Sequence, residues 1–304
     1  MDLRLAKLVG IEIEALVKEH EATIKNIEKY KDILTNPKSL DRTIIKELAE
    51  FKKEFVVKRR TRIENLEEAS FEEKKIEEAP VYFIMDRFGY AKMIDIPTFE
   101  RNRETIKAES KYIIPVLNTG RICIFTSTGD MHTIKMMDIP LCKMKDKGVP
   151  IDNVSNYDST KEEYIYLCPL SDAVMQKFMF VTKDGMMKQV YGTEFDVLKR
   201  TVAATKLTDD DRVISIAPII DQKTVALISK EGFVIRFNID EVPVKKKSAV
   251  GVRGIKLSPG DEITDVFYVA AMNDTQVCKV KGKKLEVGKI KLTKRDSKGT
   301  KVRG

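Results

Sequence analysis

Histidine, tryptophan and closely spaced cysteine are scarce in this chain of 304 residues, and each shortage closes off a class of chemistry. Tryptophan is absent, and His20 and His132 are the only histidines, which removes most histidine-based metal sites and catalytic triads. Cys123, Cys142, Cys168 and Cys278 are scattered with no Cys-x-x-Cys pair, so neither a zinc site nor a disulfide framework is expected, and reduced thiols fit a cytoplasm. No apolar run approaches the ~20 residues that a membrane span needs. The opening residues Met1-Asp-Leu-Arg-Leu5 lack the apolar core of a secretion signal. No acid, base and nucleophile cluster in the sequence, and Asp209-Asp-Asp211 reads as turn and cap residues rather than metal ligands. The expectation is a soluble cytoplasmic protein with no catalytic residue and no metal site of its own.

What is present points elsewhere. Hydrophobic residues make up 42% and charged residues 34%, enough apolar surface for folded cores in about two domains. The net charge of +8 is unevenly placed. Residues 1–79 carry 17 basic against 18 acidic side chains, residues 80–278 carry 27 of each, and residues 279–304 carry 11 against 2. A basic block of this kind is either a solvated tail or the footprint of a polyanion partner.

The first quarter, residues 1–79, has a helical pattern. Ile13, Val17, His20, Ile24, Ile27, Tyr30 and Leu34 recur in steps of four and three, one narrow face of a coiled-coil helix, with His20 a seam residue rather than a ligand. Thr35-Asn-Pro37 ends it, because proline cannot continue the hydrogen-bond ladder. Ser39 is expected to cap a second helix carrying Ile44, Ile45, Leu48, Phe51 and Phe55, and a charged stretch from Lys58 to Glu78 continues as helix and then linker.

From residue 80 onward the pattern is β and it repeats. An apolar strand, a glycine turn and a second strand with a cation recur around Gly89, Gly129, Gly185, Gly232 and, more weakly, Gly282, spaced by 40, 56, 47 and 50 residues. A further strand precedes each unit after the first, starting near Tyr112, Tyr164, Val213 and Ile263. This spacing suits blades of about four strands repeated around an axis, about five of them, with glycine supplying the positive φ of each tight turn. The fold class expected is α then β in series: a helical coiled-coil segment followed by an all-β, propeller-like domain over residues 80–304.

Leu8-Val-Gly-Ile-Glu-Ile-Glu-Ala-Leu16, Ile33-Leu-Thr-Asn-Pro37 and Ile45-Lys-Glu-Leu-Ala-Glu-Phe-Lys52 resemble the coiled-coil arm of bacterial type IIA DNA topoisomerase A subunits, and Arg59-Arg-Thr-Arg-Ile63 the segment where that arm turns back. The repeats resemble the same subunits' C-terminal β-pinwheel, most sharply in Val250-Gly-Val-Arg-Gly-Ile-Lys-Leu257 followed by Gly260-Asp-Glu262. The resemblance implies a C-terminal, DNA-holding part of such a protein, which would form a homodimer through its A subunits and pair with the B subunit. It places the catalytic tyrosine upstream of this chain, and ATP and magnesium in the B subunit, with no cofactor here. It implies nucleoid-associated work on double-stranded DNA through phosphate contacts at Arg87, Lys92, Arg121, Lys135, Lys183, Lys188, Lys230 and Arg236 on the hairpins. Lys245, Lys246, Lys247, Arg253 and Lys256 between blades, and Lys279, Lys281, Lys283 and Lys284 near the end, complete that set. Gyrases carry a glycine-rich basic box after the first blade. Here Thr98 to Ser110 has no glycine and three glutamates, which points to topoisomerase IV, with an atypical gyrase as the alternative. A propeller-like protein-interaction module on a helical stalk is the reading from another class.

Overall fold

The computed structural model describes residues 2–57, 61, 77–208, 210–270 and 275–302, with side chains from residue 13 onward. Most of the stretch expected to be helical from Lys58, Arg59-Arg-Thr-Arg-Ile63 apart from Thr61, and Asp209 lie outside the described residues. The chain divides into two compact units, Met1–Glu73 and Lys74–Gly304.

The first unit holds helix α1 (Asp2–Thr35) and helix α2 (Pro37–Glu54). Asn36, not Ser39, caps α2. Its extended backbone and its side chain, which accepts from the Lys38 amide at 3.1 Å, start the helix, and Pro37 fills the first turn, where a missing N–H costs nothing. Ser39 lies inside the helix and its carbonyl accepts from the Thr43 hydroxyl. The α1 stripe is uncovered within this unit: Val17, Ile24, Ile27 and Leu34 are all exposed, Leu34 by 83%.

The second unit consists of hairpins and returning strands. In chain order these are β1 (Pro80–Asp86), β2 (Tyr90–Asp95), α3 (Ile96–Arg101), α4 (Arg103–Glu109), β3 (Ser110–Leu117), β4 (Arg121–Thr126) and β5 (Asp130–Lys135). There follow β6 (Val149–Pro150), β7 (Tyr164–Pro169), β8 (Lys177–Thr182), β9 (Met186–Tyr191), β10 (Thr201–Ala203) and β11 (Val213–Pro218). The last are β12 (Thr224–Ser229), β13 (Phe233–Asn238), β14 (Val252–Arg253), β15 (Ile263–Val269), β16 (Val277–Val280), β17 (Lys283–Glu286) and β18 (Thr300–Lys301). The five hairpin glycines all have φ between +77° and +84°, as the repeat requires.

Among the described residues four antiparallel four-stranded sheets result, ordered β3-β1-β2-β6, β10-β5-β4-β7, β11-β8-β9-β14 and β15-β12-β13-β18, with β16-β17 a fifth hairpin of two strands. The strand that precedes each hairpin in sequence belongs to the blade before it. The fourth strand of each blade comes from still further on, after the next hairpin has been made. The basic C-terminal block is likewise built into the sheets. Residues 275–302 form the fifth hairpin and then return to blade 4 as β18.

The blades stack face to face. β4 turns Ile122 and Ile124 back to Phe83 and Met85 of blade 1, and Cys123 and Phe125 forward to Phe178 and Phe180 of blade 3. β8 and β12 repeat this, with Met179 and Val181 meeting Val225 and Leu227, and Ala226 and Ile228 meeting Cys278 and Val280. Because both faces are covered, the first hairpin strands are apolar at nearly every position instead of alternating. The outer face of blade 1 has a different cover. Ile84 and Ile94 pack against Phe99 of α3 and Ile106 of α4, and the rings of Tyr82 and Phe99 stack at 3.8 Å between centroids. Asp95 caps α3 by accepting from the Thr98 amide at 2.7 Å, with Pro97 in the first turn. The segment that lacks the basic box is thus a helical cap, and it occupies the face that a ring-closing blade would need. Replacing Phe99 with Ala should destabilise the β unit by about 3–5 kcal/mol, the cost of a large buried aromatic, as measured by urea denaturation. A loss below about 1 kcal/mol would mean that the cap contributes little to the core.

Candidate nucleic-acid interface

Strand β7 packs against β3 and β11, and β15 packs against β11, so these edges face the middle of the stack. The opposite edges, β6, β10, β14 and β18, face outward. The segment leading into each of them forms an arch over its blade. In three blades the arch has the same construction. Leu141, Val244 and Leu292 make parallel bridges to Met93, Gln189 and Arg236, and in each case a glycine follows seven residues later: Gly148, Gly251 and Gly299. The amides of Cys142, Lys245 and Thr293 donate to the carbonyls of Met93, Gln189 and Arg236 at 2.8–2.9 Å. A Cβ at these glycines would lie 2.3–2.6 Å from the carbonyls of Ala91, Met187 and Val234, so the close return of the chain excludes any side chain.

Between the bridge and the glycine lie the cations. Arch 1 holds Lys143, Lys145 and Lys147, arch 3 Lys245, Lys246 and Lys247, and arch 4 Lys294, Arg295 and Lys298; the shorter arch 2 holds Lys199 and Arg200. Lys143, Lys145, Lys147, Lys199, Lys246 and Lys294 have no ion-pair partner among the described residues. Carboxylates in the 3-10 turn after each second hairpin strand tie arches 2, 3 and 4 down. Asp138 reaches Arg200 at 3.7 Å, Glu194 accepts from the Lys247 amide at 2.7 Å, and Glu241 accepts from the Arg295 amide at 2.8 Å. The outward edge therefore carries a row of cations on a fixed backbone. Sequence reasoning missed most of them, and the signal that could have found them is the shared spacing from cation cluster to glycine.

The hairpin cations divide into two groups. Lys188 and Arg236 are buried, 1% and 4% exposed, and are not surface contacts. The Lys188 ammonium donates to the carbonyls of Lys246, Lys247 and Ala249 at 3.3, 2.6 and 2.9 Å, with the Phe180 ring beneath it. Arg236 donates to Thr224 Oγ1 and to the carbonyls of Gly288 and Ile290. Half-buried Lys92 holds arch 1 in the same way, through the Met144 and Asp146 carbonyls at 2.9 and 2.7 Å. Lys92 and Lys188 thus shape their arches from beneath, while Arg236 holds the 3-10 turn that precedes arch 4. Lys183 and Lys230 share Glu262 at 3.3 and 2.7 Å, and Arg253 pairs with Asp296 at 3.1 Å. Lys245 donates to the Val250 carbonyl and Lys247 to that of Glu194. Arg121 and Lys135 face each other as register partners at the open end of the blade 2 hairpin. Arg87, Lys246, Lys256, Lys279, Lys281, Lys283 and Lys284 are exposed.

Burial pulls the Lys188 ammonium down to about 8, against the opposing pull of the Glu194 carboxylate. The unfolded chain, with lysine near its ordinary ~10.4, binds more protons than the folded chain above pH 8, so this group makes stability rise with pH from about 8 to about 10.4. In the Lys188→Met variant that rise should be lost. Three carbonyls would be left without a donor, and stability at pH 7 should fall by about 1–3 kcal/mol, with faster amide exchange at residues 246–250. Unchanged exchange there would show that Lys188 does not hold the arch.

Known proteins share this architecture. The family model for the DNA gyrase C-terminal domain, a β-propeller, matches residues 176–220, 223–270 and 281–303. The DNA gyrase A protein of Lawsonia intracellularis is 28% identical over 290 residues, covering 90% of this chain and 35% of that one. Its Haemophilus influenzae counterpart is 29% identical, covering 87% and 31%. The chain spans about a third of the length of the gyrase A proteins it matches. Among solved structures, the C-terminal domain of a DNA topoisomerase IV aligns with a TM-score of 0.65 at 20% identity over 74% of this chain and 73% of that one. The E. coli ParC C-terminal domain aligns at 0.60 and 17% identity, over 74% and 94%. With its interlocked blades and outward arches, the chain is similar in sequence to the C-terminal β-propeller domain of DNA gyrase A and shares its fold with the C-terminal domains of topoisomerase IV and ParC.

Proposed function

We propose that this chain holds a segment of duplex DNA along the outward edge of its blade stack, as the C-terminal part of a type II topoisomerase A subunit. The observation that carries the reading is the row of arches, which in blades 1, 3 and 4 places Lys143, Lys246 and Lys294, with no ion-pair partner among the described residues, at equivalent points over glycine-fixed backbone. Lysine ammonium groups facing outward meet phosphate oxygens rather than base edges, so the affinity is independent of sequence and falls steeply with salt. Curving a 20–30 base-pair segment costs roughly 1–6 kcal/mol, which these contacts must offset. The uncovered α1 stripe supports homodimer formation through a coiled coil. In this reading strand cleavage belongs to another part of the A subunit, and ATP and magnesium chemistry to the B subunit.

The function resembles topoisomerase IV more than gyrase. The support is the segment from Thr98 to Ser110, which has no glycine and three glutamates and folds as α3 and α4 over the first blade. A loop that carries positive charge to the DNA cannot also be a packed helical cap. In a nick-closure assay across a salt series, the chain should bind nicked circles with an affinity that falls log-linearly with salt, and ligation should leave the linking number unchanged. A positive linking-number shift would overturn the topoisomerase IV assignment in favour of chiral wrapping. Absence of binding at low salt would overturn the DNA-holding reading and favour a protein-interaction module.

A further inference from the structure

Blade 2 differs from blades 3 and 4 at one buried position. Four residues after the hairpin glycine, blade 3 has Gln189 and blade 4 has Arg236, and both long side chains reach across to carbonyls of the next 3-10 turn. Blade 2 has Thr133 there. It is only 8% exposed, and its hydroxyl has no hydrogen-bond partner among the described residues. Arch 2 is also the shortest of the four, ending at Arg200, whose carbonyl accepts from the Thr133 amide at 2.8 Å. Beside this short arch lies an open cavity of about 400 Å³, similar in size to those on blades 3 and 4, at about 460 and 430 Å³, so that its lining and not its volume sets it apart.

Four cations surround that cavity: Arg121, Lys135, Lys199 and Arg200. Two carboxylates stand nearby, Asp196 at 4.0 Å from Arg121 and Asp138 at 3.7 Å from Arg200, both too far for a tight charge-assisted bond. Neither Lys135 nor Lys199 has an ion-pair partner among the described residues. Arg121 is held in place by donating to the Val197 carbonyl at 3.2 Å. The result is an excess of positive charge around a concave site, where field lines concentrate and an anion gains more than on the open edge. The corresponding cavity on blade 4 is crossed by Arg236, which is already satisfied by protein carbonyls, and the one on blade 3 has Lys177 as its only cation among the described residues.

We propose that the blade 2 cavity is a phosphate-binding pocket, in which Arg121, Lys135, Lys199 and Arg200 hold a single phosphate oxyanion over the Thr133 floor. A backbone phosphate of bound DNA and a free phosphate present the same chemistry. The first source rests on the DNA-holding function proposed above, and the second does not. On DNA, the pocket would anchor one phosphate more deeply than the arches do and so fix the phase of the duplex on the blade stack.

The first variant is Thr133→Gln, which gives blade 2 the side chain that blade 3 already accommodates and lays it across the pocket floor without altering any charge. Two measurements on the full chain are needed: calorimetric titration with inorganic phosphate, and duplex affinity as a function of salt. The pocket predicts saturable phosphate binding that weakens roughly tenfold or more in Thr133→Gln, as expected for the loss of a charge-assisted hydrogen bond. It also predicts that the slope of log affinity against log salt becomes shallower by about 0.9, one phosphate contact, although no cation was removed. Should Thr133→Gln fail to fold, Lys199→Gln should abolish phosphate binding while Lys246→Gln on arch 3 leaves it intact. Phosphate binding without DNA binding would uphold the pocket and defeat the DNA reading. A changed salt slope without inorganic phosphate binding would uphold it with DNA as the source. DNA binding with an unchanged slope in Thr133→Gln and no phosphate binding would overturn the pocket and leave the DNA reading standing. Phosphate binding lost equally in Lys246→Gln would overturn it as mere surface attraction.

Discussion

No blade of this β unit completes its own sheet. The fourth strand of each is supplied by chain that has first gone on to make the next hairpin, so β2 waits for β6, β5 for β10, β9 for β14 and β13 for β18. The constraint governs everything on the outward edge. The returning chain must cross close over the second hairpin strand, which requires Gly148, Gly251 and Gly299 where a Cβ would collide with a carbonyl. The crossing leaves carbonyls pointing inward, and Lys92 and Lys188 satisfy them from beneath. Part of the arch turns back to the blade, as Met144, Lys247 and Arg295 do, and among the side chains left exposed lysine is the commonest. Interlocking thus produces both the cohesion of the stack and its charged edge.

The same stack has two unlike ends. At the first, α3 and α4 seal Ile84 and Ile94 from water, so no further blade can pack there. At the last, β16 and β17 form a hairpin of two strands, with Lys279, Lys281, Lys283 and Lys284 on and beside it. Edge lysines of this kind discourage strand addition as well as attracting anions. Charge is distributed accordingly. Residues 80–278 are neutral in sum, yet the arches gather cations on one edge while carboxylates such as Glu194 and Glu241 are turned inward to hold backbone amides. Net charge is therefore a poor guide to what this surface can bind.

The sequence was most legible where a residue type is forced by local geometry. The five turn glycines marked the hairpins because tight turns need positive φ, and the break at Asn36-Pro37 marked the end of α1. Ser39 looked like a cap because it is a capping residue near a helix start, but Asn36 comes first and has Pro37 directly behind it. Lys188 and Arg236 looked like surface cations because charge on a strand ordinarily faces water. Here both faces of the strand are buried, and the cations lie among carbonyls supplied from about 50 to 60 residues away, a distance that no local pattern reports. The basic end looked like a tail because its partner strand, β13, lies far back in the sequence. The arches went unseen for the same reason, and only their recurrence at a fixed distance from a glycine could have disclosed them.

Lysine footprinting by acetylation and mass spectrometry, with and without a duplex of about 30 base pairs, tests the central claim most directly. The arch account predicts protection of Lys143, Lys145, Lys147, Lys246 and Lys294, which have no ion-pair partner among the described residues, with Lys107 on α4 and Lys18 on α1 left reactive. Protection centred on the helical unit or on the cap, with the arch lysines unchanged, would contradict it.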